Sequence, residues 1–243
     1  MRNWQGKRYW IIGASAGLGR AVAEEISKTG AEVILSARNE SDLNALAATL
    51  PGPASIVPMD VSDPKSVAHA AEAAHAPDGV VYLAGVYWPM PAGDFDGEKA
   101  AQMIDINLTG AARVLGHVLP PMIARGSGHL VFTGSLSGFR GLPRASGYGA
   151  SKAGMMSMAE TLYADLRGTG VDVQLINPGF VKSRLTEKND FAMPFIMEPE
   201  AAARLYVEHM GTRDFARNFP RLFAALFRLS QFLPDWLYYR LFR

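Results

Sequence analysis

Three glycines constrain this chain more than any other feature. Gly13, Gly17 and Gly19 follow the apolar run 9–12 in the order Gly-x-x-x-Gly-x-Gly, and a helical pattern opens at Leu18. Without side chains at these points the backbone turns tightly and can approach a pyrophosphate. The first N–H groups of the helix, and the positive end of its dipole, face the same place. Ser15 lies within the turn and Leu18 begins the helix. Such a turn in isolation is also an ordinary strand-to-helix loop. Its context gives it weight: it is the first turn of an α/β alternation, where a dinucleotide-binding fold needs it.

The alternation runs along the chain. Runs 9–12, 32–35, 55–57, 79–83, 129–132 and 171–176 are rich in Val, Ile and Tyr, and they read as strands. Such near-continuous apolar strands suit a parallel sheet covered on both faces. Helical patterns occupy 18–29, 41–50, 64–74, 98–125, 148–167 and 199–210, with Gly30 and Gly211 closing the first and last. The pattern predicts a doubly wound α/β fold. No linker, repeat or low-complexity tract divides it. Residues 1–211 form the dinucleotide-binding and catalytic part, and 212–243 add a last strand, 215–219, and an amphipathic tail. The long loop 179–198, with Pro178, Pro194 and Pro199 around it, reads as a lid.

Composition narrows the chemistry. The chain of 243 residues has no cysteine, which excludes disulfides, thiolate metal sites and a cysteine nucleophile. Its 24 Lys+Arg against 23 Asp+Glu give a net charge of +1, without the basic excess of a nucleic-acid binder. No apolar run reaches the roughly 18 residues that cross a bilayer. The start of the chain lacks the apolar core and cleavage site of a signal peptide. The expectation is a soluble, cytoplasmic protein. His69, His75, His117, His129 and His209 show no ligand spacing, so no metal site is expected.

Other residues carry chemistry. The second strand ends Leu35-Ser36-Ala37-Arg38, with no acid for a ribose 2′-hydroxyl and an arginine able to pair with a 2′-phosphate. That favours NADP(H) over NAD(H), although Arg38 is also readable as a solvated residue at a helix entrance. Asp60 and Val61 follow the third strand toward the adenine, although Asp60 also suits a turn cap with Ser62. Tyr148 and Lys152, four residues apart, share one helix face. A nearby ammonium lowers a tyrosine pKa from about 10. Y-x-x-x-K alone is a common surface pair. Ser135 lies just after strand 129–132, at a strand end where ligands of such folds sit. Gly134-Ser135-Leu136-Ser137-Gly138 is not a Gly-x-Ser-x-Gly elbow, so a hydrolase reading is poor.

The glycine turn, Asp60, Asn107, Ser135, the Tyr148–Lys152 pair and Asn177-Pro178-Gly179 together resemble the single-domain short-chain dehydrogenase/reductases, over about residues 7–211. The resemblance implies a Rossmann-type sheet and four catalytic residues. Tyr148 exchanges a proton with the substrate oxygen. Lys152 lowers its pKa and holds the nicotinamide ribose. Ser135 hydrogen-bonds the substrate oxygen, and Asn107 anchors a water relay to the lysine. The implied cofactor contacts are Gly13, Ser15, Gly17, Leu18, Gly19, Arg38, Asp60, Val61, Ala84, Gly85, Tyr148, Lys152, Pro178, Gly179, Val181 and Ser183. A homo-oligomer, dimer or tetramer, is implied as well. Two departures stand out. Tyr82-Leu83-Ala84-Gly85 replaces the usual Asn-Asn-Ala-Gly, and Ile12 stands where threonine is usual.

Tyr87, Trp88, Phe139, Leu142, Phe180, Phe191, Met193, Phe195 and Ile196 fall where the family places its substrate, or else pack as ordinary core and lid. They favour a lipophilic carbonyl or alcohol; Arg140, Arg144 and Arg184 leave room for a charge clamp. In the tail, Leu222, Phe223, Leu226, Phe227 and Leu229 share one side of a helix started by Pro220, Arg221 and Arg228 lie on the other, and Pro234-Asp235 breaks the run. Three readings of residues 220–243 stay open: packing over the cleft or a partner subunit, peripheral contact with an anionic membrane, or partial disorder. The expected function is NADP(H)-dependent interconversion of a hydrophobic carbonyl and an alcohol. The alternatives are a non-catalytic dinucleotide sensor and a membrane-peripheral protein acting through its tail.

Overall fold

The computed structural model describes residues 2–242. Seven parallel strands form one sheet in the order β3-β2-β1-β4-β5-β6-β7. They are β1 (Arg8–Ile12), β2 (Glu32–Ser36), β3 (Ala54–Ile56), β4 (Gly79–Tyr82), β5 (Gly128–Thr133), β6 (Val171–Pro178) and β7 (Ala216–Phe219). The order reverses between β1 and β4, which opens a crevice at the carboxyl edge.

The two-residue period of each strand feeds two cores. Trp10, Ile12, Ile34, Val80, Tyr82, Leu130 and Phe132 point to one face. Tyr9, Ile11, Val33, Leu35, Val81 and Val131 point to the other. Helices α3 (Pro64–Ala74), α5 (Gly110–Ala124) and α6 (Ser146–Asp165) cover the first face through Val67, Val114, Val118, Met155 and Ala159. Helices α1 (Gly17–Ser27), α2 (Glu40–Ala47) and α7 (Pro199–Met210) cover the second through Val22, Ile26, Leu43, Leu46 and Tyr206. The doubly wound fold expected from the sequence is therefore present, and β7 completes the sheet beside β6.

One expected helix, 98–125, is interrupted. It consists of α4 (Gly97–Ile104), a π turn (Asp105–Thr109) and then α5. Such a turn releases a backbone carbonyl from the helix ladder. The Tyr82 hydroxyl donates to the Ile106 carbonyl at 2.6 Å. Gly110 leaves the space this needs: a Cβ there would lie 2.9 Å from that of Val61 and against the Tyr82 hydroxyl. The turn also directs the fully buried Asn107 inward.

The tail forms α8 (Arg221–Ser230) and α9 (Asp235–Leu241). Its expected single apolar side is split in two. Phe223, Ala224 and Phe227 are buried with Leu136, against Phe139, Leu142 and Phe180. Leu222, Leu226 and Leu229 instead face solvent, 66%, 54% and 66% exposed. The split follows from the helical angle, because 222, 226 and 229 fall on one line and 223 and 227 about 100° away. Arg140 fastens the tail. Its guanidinium donates to the carbonyls of Ser230 (3.0 Å) and Leu233 (2.7 Å), pairs with Asp235 (2.5 Å) and lies 4.0 Å from the Tyr238 ring centre. Arg140 is thus occupied structurally and is not a substrate clamp.

Replacing Tyr82 by Phe leaves the buried Ile106 carbonyl without its donor. The expected cost is about 1–3 kcal/mol, or a fall in melting temperature of about 2–4 °C per kcal/mol. Calorimetry showing an unchanged melting temperature would refute this role for Tyr82.

Candidate active site

The turn after β1 is built by close backbone approach. Gly13 adopts φ +95°, and a Cβ on it would lie 2.6 Å from the Ala84 nitrogen. A Cβ on Gly19 would meet the Gly13 carbonyl oxygen. The turn is held by the Ser36 carbonyl, which accepts from Gly13 N (2.7 Å) and Ala14 N (3.1 Å). This backbone bonding explains why Ile12 is tolerated in place of a hydroxyl residue: its side chain is simply core. At the start of α1, Ala16 supplies no side-chain cap and the first turn carries no acid. The N–H groups there face a cleft of about 610 Å³.

The residues expected to hold a cofactor converge on this cleft. Gly13, Ser15, Gly17, Leu18 and Gly19 come from the turn, Arg38 from the end of β2, and Asp60 and Val61 from beyond β3. Ala84 and Gly85 follow β4, Tyr148 and Lys152 project from α6, and Pro178, Gly179, Val181 and Ser183 follow β6. The bare backbone cradle and uncapped helix end fit a pyrophosphate. Sequence reasoning missed Asn39, Asp42, Met59, Val86, Ile106, Leu185 and Thr186, which also line the cleft. They are neither glycine nor charged pairs at a motif spacing, except Asp42, whose approach depends on the entry of α2. Asn39 caps that helix, its side chain accepting from Ser41 N and Asp42 N.

At the outer end, Arg38 is exposed and has no ion-pair partner among the described residues. The Ser36 hydroxyl is fully engaged, accepting from the Trp10 indole (2.7 Å) and donating to the Val57 carbonyl. Asp60 accepts from the Ser62 backbone N–H (2.9 Å) and hydroxyl (2.6 Å). Burial pushes its carboxyl up, but these bonds, with Arg38 and Arg113 nearby, outweigh that and hold it below the usual range. Asp60 therefore both caps its turn and lines the cleft.

At the inner end, Ser135 begins the 3-10 turn Leu136–Gly138 and accepts from Ser137 N at 3.2 Å and the Ser137 hydroxyl at 2.9 Å. Burial pushes the Tyr148 phenol up to about 12, against the downward pull of its hydrogen bond with Ser135, while Tyr87 nearby raises it. Burial pushes the Lys152 ammonium down to about 8. Its Nζ donates to the Thr133 carbonyl at 2.8 Å and lies 5.8 Å from the Tyr148 ring centre. Desolvation dominates here, and the ammonium faces the Thr133 carbonyl. At neutral pH Tyr148 is thus firmly protonated.

Asn107 does not line the cleft. Its Oδ1 accepts from Val86 N (2.7 Å), and its Nδ2 donates to Val86 O and to the Ser151 hydroxyl, both at 3.0 Å. A Cβ on Gly85 would lie 3.4 Å from Asn107 Oδ1 and 4.0 Å from Lys152 Nζ. Gly85 therefore leaves open the space that borders both the amide and the ammonium. The altered Tyr82-Leu83 pair causes no loss here, since Tyr82 bonds the π turn and Leu83 N donates to Ile12 O at 2.8 Å.

Around Tyr148 the surface is aromatic. Tyr87 meets it edge-on with ring centres 5.0 Å apart, and Trp88, Met90 and Met103 pack with both. Phe180 and Phe195 pack on Phe223 of α8, at 5.7 and 5.6 Å. Phe191 meets Phe180 at 6.0 Å, and Met193 lies beside Asn189. Ile196 is at the surface. The loop 179–198 is closed at its base by a Val181–Met197 bridge and tied to the rim by the Arg144–Asp190 pair (2.6 Å). Arg144 is thereby engaged, while Arg184 lines the cleft. Among the described residues no three His, Cys, Asp or Glu side chains are grouped to hold a metal.

Together these features define a class: a doubly wound α/β protein with a glycine-lined cradle and a buried tyrosine–lysine pair at its inner end. The family model for short chain dehydrogenases matches residues 7–193. An uncharacterized oxidoreductase of Myxococcus xanthus (strain DK1622) is 40% identical over 235 residues, covering 94% of this chain and 93% of that protein. Another, from Staphylococcus epidermidis (strain RP62A), is 36% identical over 186 residues, covering 74% and 80%. A solved short chain dehydrogenase/reductase family protein superposes with a TM-score of 0.82 at 26% identity, covering 90% of this chain and 96% of that one. The chain belongs to the short-chain dehydrogenase family of oxidoreductases.

The buried ammonium predicts a pH effect on stability. A lysine at about 8 when folded, against 10.5 in its ordinary state, penalises the folded chain below pH 8, and the penalty disappears as pH rises to 10.5. Lys152→Met should therefore melt above the parent near neutral pH. The gap should narrow between pH 8 and 10.5. A gap that is constant across this window would contradict the assignment.

Proposed function

We propose that this protein is an NADP(H)-dependent reductase of a hydrophobic ketone or aldehyde, also able to run the reverse oxidation. The observation that carries this reading is that Tyr148 and Lys152 line the inner end of the glycine-lined cleft, with Ser135 next to its lining residue Gly134. The Tyr148 phenol is held protonated at about 12, the form a general acid needs.

The bare turn at Gly13, Gly17 and Gly19 with the uncapped end of α1 would hold the pyrophosphate. Arg38 would pair with a 2′-phosphate, and Lys152 with the nicotinamide ribose. When bound, the dihydronicotinamide supplies a hydride to the carbonyl carbon. This chain's residues act on the oxygen. The Ser135 hydroxyl donates to it and stabilises the negative charge as it develops. Tyr148 Oη transfers its proton to it, completing the alcohol. The Lys152 ammonium then stabilises the phenolate left behind, which offsets part of the burial that raises the phenol. Asn107, which borders with Lys152 the space beside Gly85, would anchor the path that returns a proton. Tyr87, Trp88, Phe180 and Phe195 suit an apolar substrate. A soluble homo-oligomer completes the proposal, and light scattering reports its size.

Tyr148→Phe should bind NADPH normally and lose about 10²–10⁴-fold in turnover, measured as NADPH oxidation with ketones, steroids, quinones and fatty acyl carbonyls. Near-parental turnover would refute the acid role. Arg38→Asp should lower the NADPH-to-NADH ratio of kcat/KM roughly 10–100-fold, the worth of a charge-assisted hydrogen bond. An unchanged ratio would show that Arg38 does not read the phosphate.

A further inference from the structure

The fold leaves one surface that neither the cleft nor the core explains. On α8, Leu222, Leu226 and Leu229 project outward at 66%, 54% and 66% exposure. Phe232, Trp236 and Tyr239 follow at 86%, 70% and 54%. Isolated apolar residues at a surface need no explanation, but a stripe along one helix followed by exposed aromatics does. The inner side of the same helix is already fixed by Phe223 and Phe227 in the core and by Arg140 at its end. The outer leucines therefore leave most of their surface uncovered within the chain.

Charge selects the occupant. Arg221, Arg228 and Arg240 are exposed and have no carboxylate partner among the described residues. The only acid between 220 and 243 is Asp235, and Arg140 engages it. A second copy meeting this face through a two-fold contact would bring arginines against arginines. An anionic bilayer takes the same face without conflict: leucines and Trp236 enter the interface, and arginines meet lipid phosphates. No helix among the described residues is long and apolar enough to cross a membrane, so the contact would lie in the surface plane.

We propose that the outer face of α8, extended by Phe232 and Trp236, docks this protein on an anionic lipid surface.

The test is co-sedimentation of the full chain with vesicles of phosphatidylcholine alone or mixed with phosphatidylglycerol. Pelleting should require the anionic lipid and weaken with added salt. Arg221→Gln/Arg228→Gln should bind on the order of fivefold more weakly per arginine removed. Leu222→Gln/Leu226→Gln/Leu229→Gln should fail to pellet while keeping the parental melting curve and molecular mass. These residues are exposed and not among the site residues, so NADPH oxidation in solution serves as a separate check on the proposed chemistry. Pelleting that ignores lipid charge, or survives loss of the leucines, overturns the proposal. So does a parental chain that stays in the supernatant, or a leucine variant whose mass in light scattering drops, which would show that a second copy covers this face.

Discussion

The contact on which the rest depends is the approach of two backbones, at Gly13 and Ala84. They follow the paired strands β1 and β4 at the point where the sheet order reverses, and a Cβ on Gly13 would collide with the Ala84 backbone. Because Gly13 lies there, the turn enters α1 at once, with the helix's unpaired N–H groups facing the crevice. Ala84 and Gly85 follow directly, so the chain after β4 passes beside Asn107 and Lys152. A side chain at Gly13 would push the two halves of the sheet apart. The cradle and the proton-transfer set would then cease to share a cleft.

A second constraint opposes the first: the site places polar groups where water is scarce. Burial raises Tyr148 and lowers Lys152, so both are driven toward their neutral forms. The Thr133 carbonyl holds the ammonium, and Ser135 beside the phenol opposes part of its burial. Other buried polar groups are paired in the same way. Thr133 shares a 2.8 Å hydrogen bond with Tyr206, and His129 is bridged between Tyr9 and Gln174 at 3.0 and 2.9 Å. Burial drives His129 down to about 3, so it is a neutral hydrogen-bonding member of the core, in keeping with its lack of ligand spacing.

The sheet was legible in the sequence because a parallel strand covered on both faces leaves an unmistakable apolar run. Tyr9 and Trp10 diverge to opposite cores, yet both belong to the same run. The cleft was legible because glycine spacing reports backbone geometry directly. What escaped detection depended on contacts between distant segments. The π turn arises from Tyr82 reaching Ile106, and no local pattern in 98–125 announces it. Likewise, helical spacing shows that Leu222 and Phe223 are both apolar. It does not show which faces the core, because that depends on Phe180 and Leu136. The burial around the Tyr148 phenol is hidden for a related reason: sequence proximity to Lys152 indicates a charge but not how much of the surroundings is dry.

The clamp at Arg140 has a consequence in time. Arg140 follows Ser135 closely, but the carbonyl it holds at Ser230 comes 90 residues later. Translation at about 5–20 residues per second separates the two by roughly 5–18 seconds. Throughout that interval the segment bearing Ser135 and Phe139 lacks its guanidinium anchor and its cover of Phe223 and Phe227. The nascent chain can thus assemble its glycine cradle well before it can fix the wall beside its serine. The order of emergence puts the glycine turn and its contact with Ala84 early and the wall beside Ser135 late.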